Sequence, residues 1–377
     1  MDYLKTLYLH IGTTKTGTSA IQGFCVKNRK VLNSKGYCYP KMPFSYPGFG
    51  WRRNALFLQR PIIRDGVRYP DEERQRFLEG MDIIRQLFES YDQVILSDEG
   101  IWSASCENRK SLWDELKEYG DRHHFAVKII VYLRRQDAFL DSLWKQRVKG
   151  TRGRRSKISL SWEEFTGDVL EMSRFDYYAG LKRISSVLGR ENITVRRYDR
   201  RYFPGGMVQA DFLQTVGLEL TDEYIMAKPS INESLSGNIC ELKRVVNSLP
   251  DLTSGETNYL RKNLLDINSV SGAEYKSSMF SAGEAEAFVG AYRRGNRKVA
   301  QEYMDEEELF DMSFDGIHKW QKDNPYLLDD VIRFVAQTNI SMLRQMDEEN
   351  TAVREELERL KGSLRHPFRT FVCAALQ

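Results

Sequence analysis

The chain has 377 residues, of which 41% are hydrophobic and 29% charged, with a formal net charge of +3 at pH 7; this is a globular composition, long enough for one large or two ordinary domains. No apolar run reaches the roughly 18–20 residues of a membrane-spanning helix, and so small a charge excess gives no ground for nucleic-acid binding. The five cysteines lack metal-ligand or disulfide-framework spacing, and the N-terminus runs straight into a strand-like segment, so no signal peptide is expected; both point to a reducing, cytoplasmic setting.

In chain order, "TLYLHI" (6–11) predicts a buried strand, and a helix follows from about Thr18 to Leu32. "GYCYP" (36–40) reads as a second strand. Residues 41–66, with "PFSYPGFGWRRN", lack periodicity, as a substrate-facing loop region would. An amphipathic helix is expected over 72–91, strands over 93–97 ("QVILS") and 126–133 ("AVKIIVYL"), a helix over 177–189 and a strand over 191–199. Strand–helix alternation at this spacing implies a parallel sheet with helices on both faces.

Beyond residue 230 the pattern turns largely helical. Over 342–366, Leu343, Met346, Val353, Leu357, Leu360 and Leu364 form a partial apolar stripe among charged residues. Packing on its own domain is the plainest expectation for this tail. A homodimer contact, or a peripheral membrane contact through "HPFRTFVCAAL", are the others. The expected division is a domain over 1–325 and a helical tail over 326–377.

The first strand leaves through "HIGTTKTGTS" (10–19). Gly12 and Gly17 have the separation of the two glycines in a G-x-x-x-x-G-K-[ST] phosphate loop, but Thr18 stands where that loop has its lysine. The loop's lysine is instead Lys15. Backbone N–H groups and a helix N-terminus still suit an anion, and Thr16, Thr18 and Ser19 add hydroxyls. Such a cradle suits a nucleotide lacking β- and γ-phosphates. A plain tight connection between strand and helix is the alternative.

Two other strand ends carry chemistry. "VILSDEG" (94–100) ends a strand with Ser97, Asp98 and Glu99, and Arg134 and Arg135 end another, with Ser142 eight residues beyond Arg134. In a parallel sheet these ends share one edge, where ligands of such folds bind. Arg134 and Ser142 converge on one phosphate, or else form a surface Arg–Asp pair beside an incidental serine. The stretch 145–157 ("KQRVKGTRGRRSK") is rich in Lys/Arg and free of acids; it reads as a solvated loop or as part of the anion site.

"IGTTKTGTSAIQ" and "YLRRQDAFLDSLWKQRVK" resemble the phosphosulfate loop and 3′-phosphate motif of the sulfotransferases that use 3′-phosphoadenosine 5′-phosphosulfate (PAPS). "VRRYDR", "DFLQTVGL", "NESLS" and "NRKVAQEYMDEEELF" are similar to segments of its bacterial carbohydrate-type members, so the likeness covers roughly 5–310. The resemblance implies a P-loop-NTPase-like α/β fold, PAPS as sulfuryl donor, no metal, and a carbohydrate hydroxyl as acceptor. It puts the 5′-phosphate on Thr14, Lys15, Thr16, Gly17, Thr18 and Ser19, and the 3′-phosphate on Arg134 and Ser142. Lys15 would act on the leaving group, and the family's base, a glutamate or histidine, has Glu99 and His10 as candidates here. For Glu99, an N-cap or an ion pair with Arg134 is the alternative; for His10, a packed strand residue. The rings of 44–51 would stack on sugar faces or else belong to the core, and Arg52, Arg53 and the 145–157 stretch would meet an anionic chain.

Two rivals remain at this level. A P-loop kinase would use "VILSDE" as a Walker-B acidic pair for Mg²⁺, against which stands Thr18. A non-catalytic module of the same fold is the other.

Overall fold

The computed structural model describes residues 5–106, 110–150, 159–169, 173–226 and 234–365. In chain order the elements begin with β1 (Lys5–Gly12), α1 (Thr18–Lys27), α2 (Arg29–Ser34), β2 (Tyr37–Cys38), β3 (Ile63–Arg64), β4 (Val67–Arg68) and α3 (Pro70–Leu87). There follow β5 (Gln93–Ser97), α4 (Gly100–Cys106), α5 (Lys110–His123), β6 (Phe125–Leu133), α6 (Gln136–Lys149), α7 (Trp162–Val169), α8 (Tyr177–Leu188) and β7 (Ile193–Arg197). The remainder is helical: α9 (Val208–Thr215), α10 (Gly237–Asn247), α11 (Ser254–Glu274), α12 (Ala282–Tyr303) and α13 (Tyr326–Arg365).

Five strands pair in parallel in the order β2-β5-β1-β6-β7, which is the expected α/β class of parallel sheet flanked by helices. Alternation along β1 explains its two-sided burial. Leu7, Leu9 and Ile11 join the core on one face, with Trp113 and Leu116 of α5 and Leu181 and Ile184 of α8. On the other face, Ile95, Ile130 and Tyr132 pack with Ile21 and Phe24 of α1 and Phe212 and Leu213 of α9. No helix among the described residues is long and apolar enough to cross a membrane.

The structure departs from the expected elements in three places. The helix expected over 18–32 breaks at Asn28, whose side-chain amide donates to the carbonyls of Phe24 and Ile225 and whose Oδ1 accepts from the Ile225 amide. The aperiodic stretch 41–66 ends in a small antiparallel hairpin, β3–β4. Thirdly, the helix expected over 342–366 is the second half of α13, a single 40-residue helix.

The chain divides into two compact units. One comprises 1–144, 163–232 and 280–317; the other comprises 145–162, 233–279 and 318–377. This differs from a domain over 1–325 followed by a tail, because the start of α13 is built into a helical unit with α10 and α11. Buried Asp330 accepts from Asn238 Nδ2 (2.9 Å) and Ser271 Oγ (2.7 Å), and Arg333 bridges it to Glu274. Most of the basic stretch 145–157, and "HPFRTFVCAAL" with the membrane contact expected of it, lie outside the described residues.

Candidate active site

The loop between β1 and α1 is closed by its own threonines. Thr13 donates both its amide (2.9 Å) and its hydroxyl (3.2 Å) to the carbonyl of Tyr132 on β6. The Thr13 carbonyl in turn accepts the hydroxyls of Thr16 and Thr18. Thr13, Thr16 and Thr18 are buried, Thr14 and Lys15 half-buried, and Ser19 exposed. Lys15 and Gly17 have φ of 67° and 73°, the left-handed region that reverses the chain before α1. This leaves Thr18 and Ser19 as the first two residues of α1, where N–H groups have no intrahelical acceptor.

Two close approaches fix what surrounds the loop. A Cβ at Gly12, where φ is 90° and the β1–β6 register shifts, would lie 2.8 Å from the Cβ of Glu99. A Cβ at Gly17 would lie 2.9 Å from the ring of Tyr198, just beyond β7. Arg134, at the end of β6, donates to the Lys15 carbonyl (3.2 Å) and lies over the Tyr198 ring, 5.8 Å from its centre. Loop, Glu99, Arg134 and Tyr198 thus meet at the C-terminal edge of the sheet, as a parallel topology requires. Ser142 is buried on α6, two turns into that helix and only 4% exposed. The Arg–Asp pair is made by Arg135 with Asp137, not by Arg134, and it is largely buried rather than at the surface.

The acidic pair after β5 divides its work. Asp98 is fully buried and receives a two-pronged contact from Arg53 (2.9 Å each), with the Gly100 amide and Gln59 as further donors. Glu99 receives Arg53 Nη1 at 3.3 Å and Gln22 Nε2 at 3.2 Å, and its side chain is 18% exposed. Burial first, then the charge of Asp98, raises the Glu99 carboxyl above the ordinary carboxylate range, and Arg53 only partly offsets this. The ion-pair partner is therefore Arg53, not the Arg134 considered from the sequence. Arg53 is likewise drawn into the acidic pair rather than left to meet an anionic chain.

His10 lies on β1 opposite Ser97, wholly buried between the rings of Tyr132 and Phe212. Its Nδ1 meets Ser97 Oγ at 2.9 Å, while Nε2 has no hydrogen-bond partner. Burial lowers its pKa to about 3, so the ring is neutral. Gln22 donates to both Ser97 Oγ and Glu99 Oε2, which joins His10, Ser97, Gln22 and Glu99 into one polar chain. Sequence reasoning missed Gln22, Arg53 as a partner of the acids, and Tyr198. Gln22 carried a signal, being a polar residue one turn after Thr18 on the apolar side of α1.

Beside the acids opens a cleft of about 400 Å³, lined by Lys41, Phe44, Tyr46, Phe49, Trp51 and Arg53 among others. Phe44 and Tyr46 pack partly on the core, whereas Trp51 is 41% exposed. The 44–51 rings are therefore split between core and cleft.

No protein-family model matches this chain. An uncharacterized protein of Archaeoglobus fulgidus is 29% identical over 233 residues, which is 61% of this chain and 60% of that one. The match therefore spans less than two thirds of the relative's length. A crystal structure of a sulfotransferase from Alicyclobacillus acidocaldarius aligns with 59% of this chain and 86% of that one, at 19% identity and a TM-score of 0.32.

Proposed function

We propose that this chain is a sulfotransferase that moves the sulfuryl group of PAPS onto a carbohydrate hydroxyl. The observation that carries this reading is Thr18. It stands where an ATP-type loop has its lysine, yet it is buried with its hydroxyl on the Thr13 carbonyl. The cation of the loop is then Lys15, held at positive φ inside the turn.

PAPS supplies an activated sulfuryl group on a phosphate leaving group. The amides of residues 14–19 and the hydroxyls of Thr14 and Ser19 would bind the 5′-phosphate, while the hydroxyls of Thr16 and Thr18, held on the Thr13 carbonyl, keep the turn in shape. Arg134 would supply the charge for the 3′-phosphate, with Ser142 as its neutral donor. Lys15 would stabilise the charge that develops on the leaving oxygen, an interaction stronger in the transition state than in the ground state.

Glu99 would take the proton as the acceptor oxygen bonds to sulfur and the bond to the phosphate oxygen breaks. A carboxyl whose pKa is raised by burial suits that work better than an ordinary one. His10, neutral and enclosed, would position Ser97 and Gln22 instead. The aromatic lining supports a sugar acceptor, since ring faces stack on sugar faces, and Lys41 at the rim would meet hydroxyls or anionic groups. Cytoplasmic residence belongs to the same proposal, supported by the free buried thiols of Cys25 and Cys38.

Calorimetry with adenosine 3′,5′-bisphosphate, set against ATP with magnesium, tests this. Metal-free binding of the bisphosphate is expected, weakened roughly tenfold or more in Arg134→Ala by loss of a charge-assisted contact. Preference for Mg·ATP would overturn the reading in favour of a kinase. Binding of neither would make the fold a non-catalytic module.

A further inference from the structure

The first part of α13 packs within its own unit. Phe334, Gln337, Thr338 and Ser341 are partly buried, and the Thr338 carbonyl accepts the hydroxyl of Tyr259 on α11 (2.6 Å). After Ser341 this packing stops. Every residue from Met342 to Gly362 is exposed, although the helix continues without a break. A helix exposed on all sides draws little stability from propensity alone, and this one is not polar all round.

Away from the packed face, Leu328, Ile332, Val335, Asn339 and Met342 follow one another at spacings of four, three, four and three. The apolar ones are each about half exposed or more. Met346, Asn350, Val353, Leu357 and Leu360 continue the row at four, three, four and three, after one step of four from Met342. This is a heptad seam with a single stutter between Met342 and Val353, a step that locally unwinds a supercoil without turning the seam away. The row spans about 48 Å at 1.5 Å per residue.

We propose that this row is the seam of a parallel, in-register two-stranded coiled coil with a second copy of this chain. Charge decides the partner and the direction. With Asn350 and Leu357 at a positions, Glu349 and Glu356 occupy g, and Arg354 and Lys361 occupy e. In a parallel pair, g faces the e position five residues on in the other copy, so Glu349 meets Arg354 and Glu356 meets Lys361. An antiparallel pair would set glutamate against glutamate and Arg354 against Lys361. Asn350 at an a position adds the side chain that favours two strands and one register. Within the single chain, Glu356 pairs with Arg359 and Lys361 with Glu358, exposed contacts that are easily exchanged. A membrane surface fits less well: an interfacial helix has a polar face rich in Lys/Arg, whereas 342–362 carries six acidic and four basic residues.

Sedimentation of the full chain tests this independently of its chemistry. A dimer is expected at micromolar concentration, and Leu357→Glu/Leu360→Glu should be a folded monomer that loses helicity only from the unsupported end of α13, since both sites are exposed in the single chain. Glu349→Lys/Glu356→Lys and Arg354→Glu/Lys361→Glu should each dimerise roughly tenfold or more weakly alone, and recover when mixed, because opposite charges then face each other again. A monomeric wild type would overturn the proposal. So would a dimer indifferent to all three variants, or co-sedimentation of a monomer with anionic phospholipid vesicles.

Discussion

Asp98 in the first unit and Asp330 in the second are both fully buried aspartates, and each shares one arginine with a glutamate. The sharing runs in opposite senses. Arg333 gives its two-pronged contact to Glu274 (2.6 and 2.9 Å), which is 34% exposed, and reaches Asp330 with one nitrogen. Arg53 gives its fork to the buried Asp98 and leaves Glu99 a single contact at 3.3 Å. In the helical unit the buried acid is completed by Asn238 and Ser271, so the arrangement closes a core. At the sheet edge the glutamate stays under-compensated beside the phosphate-like loop, and its carboxyl is raised. A buried acid is thus no sign of function by itself; what sets Glu99 apart is that Arg53 spends its fork on Asp98.

The largest expected effect separates the two glutamates by activity. Glu99→Gln should lower turnover by about 10²–10⁴-fold, the range for loss of a general base, while Glu274→Gln leaves it unchanged. Sulfated product counted over time checks both. The wild-type rate should fall in acid at a pH above the ordinary carboxylate range, and that limb should vanish in Glu99→Gln. The sign for stability follows from the same shift. A carboxyl raised in the folded state contributes stability below its ordinary value and loses it as pH rises through the raised one. Glu99→Gln should therefore gain melting temperature at neutral pH, and the gain should disappear in acid.

Removing the arginines breaks the comparison at the level of folding. Arg53→Ala removes the two-pronged charge partner of buried Asp98, leaving it only the Gly100 amide and Gln59, and should cost about 3–5 kcal/mol. Arg333→Ala leaves Asp330 with its Asn238 and Ser271 donors, and the loss should be nearer 1–2 kcal/mol. Urea midpoints at neutral pH read both; equal losses would mean that the fork is not what separates the two sites.

The last effect is absent at neutral pH and concerns His10. Its folded pKa of about 3 lies below the ordinary value of 6.5. Its contribution to stability is complete above pH 6.5 and is lost as pH falls from there toward 3, by up to about 1.4 kcal/mol per pH unit. His10→Asn cannot take that charge and should flatten this part of the profile in urea unfolding followed from pH 6.5 down to 4.

Several parts of this molecule were legible before folding. The strand over 93–97 and the helix over 177–189 announce themselves by apolar spacing, and the turn at 12–17 by two glycines around a threonine-rich run. Their energies are local, set by which side chains share a face and which residues tolerate positive φ. Other features had no local signal. The break at Asn28 answers to a backbone 197 residues away, and Arg53 meets Asp98 across 45 residues.

By itself the sequence determined a parallel α/β sheet, a tight glycine- and threonine-rich turn carrying Lys15, and an apolar row along the last helix. Only the tertiary structure decided that Glu99 rather than His10 stands open beside the loop, that Arg53 is its partner, and that α13 starts inside a helical unit and ends in solvent. The reason is physical. Periodicity and turn chemistry act between near neighbours, whereas the pairing and burial of a charge depend on which strand ends the sheet order brings side by side.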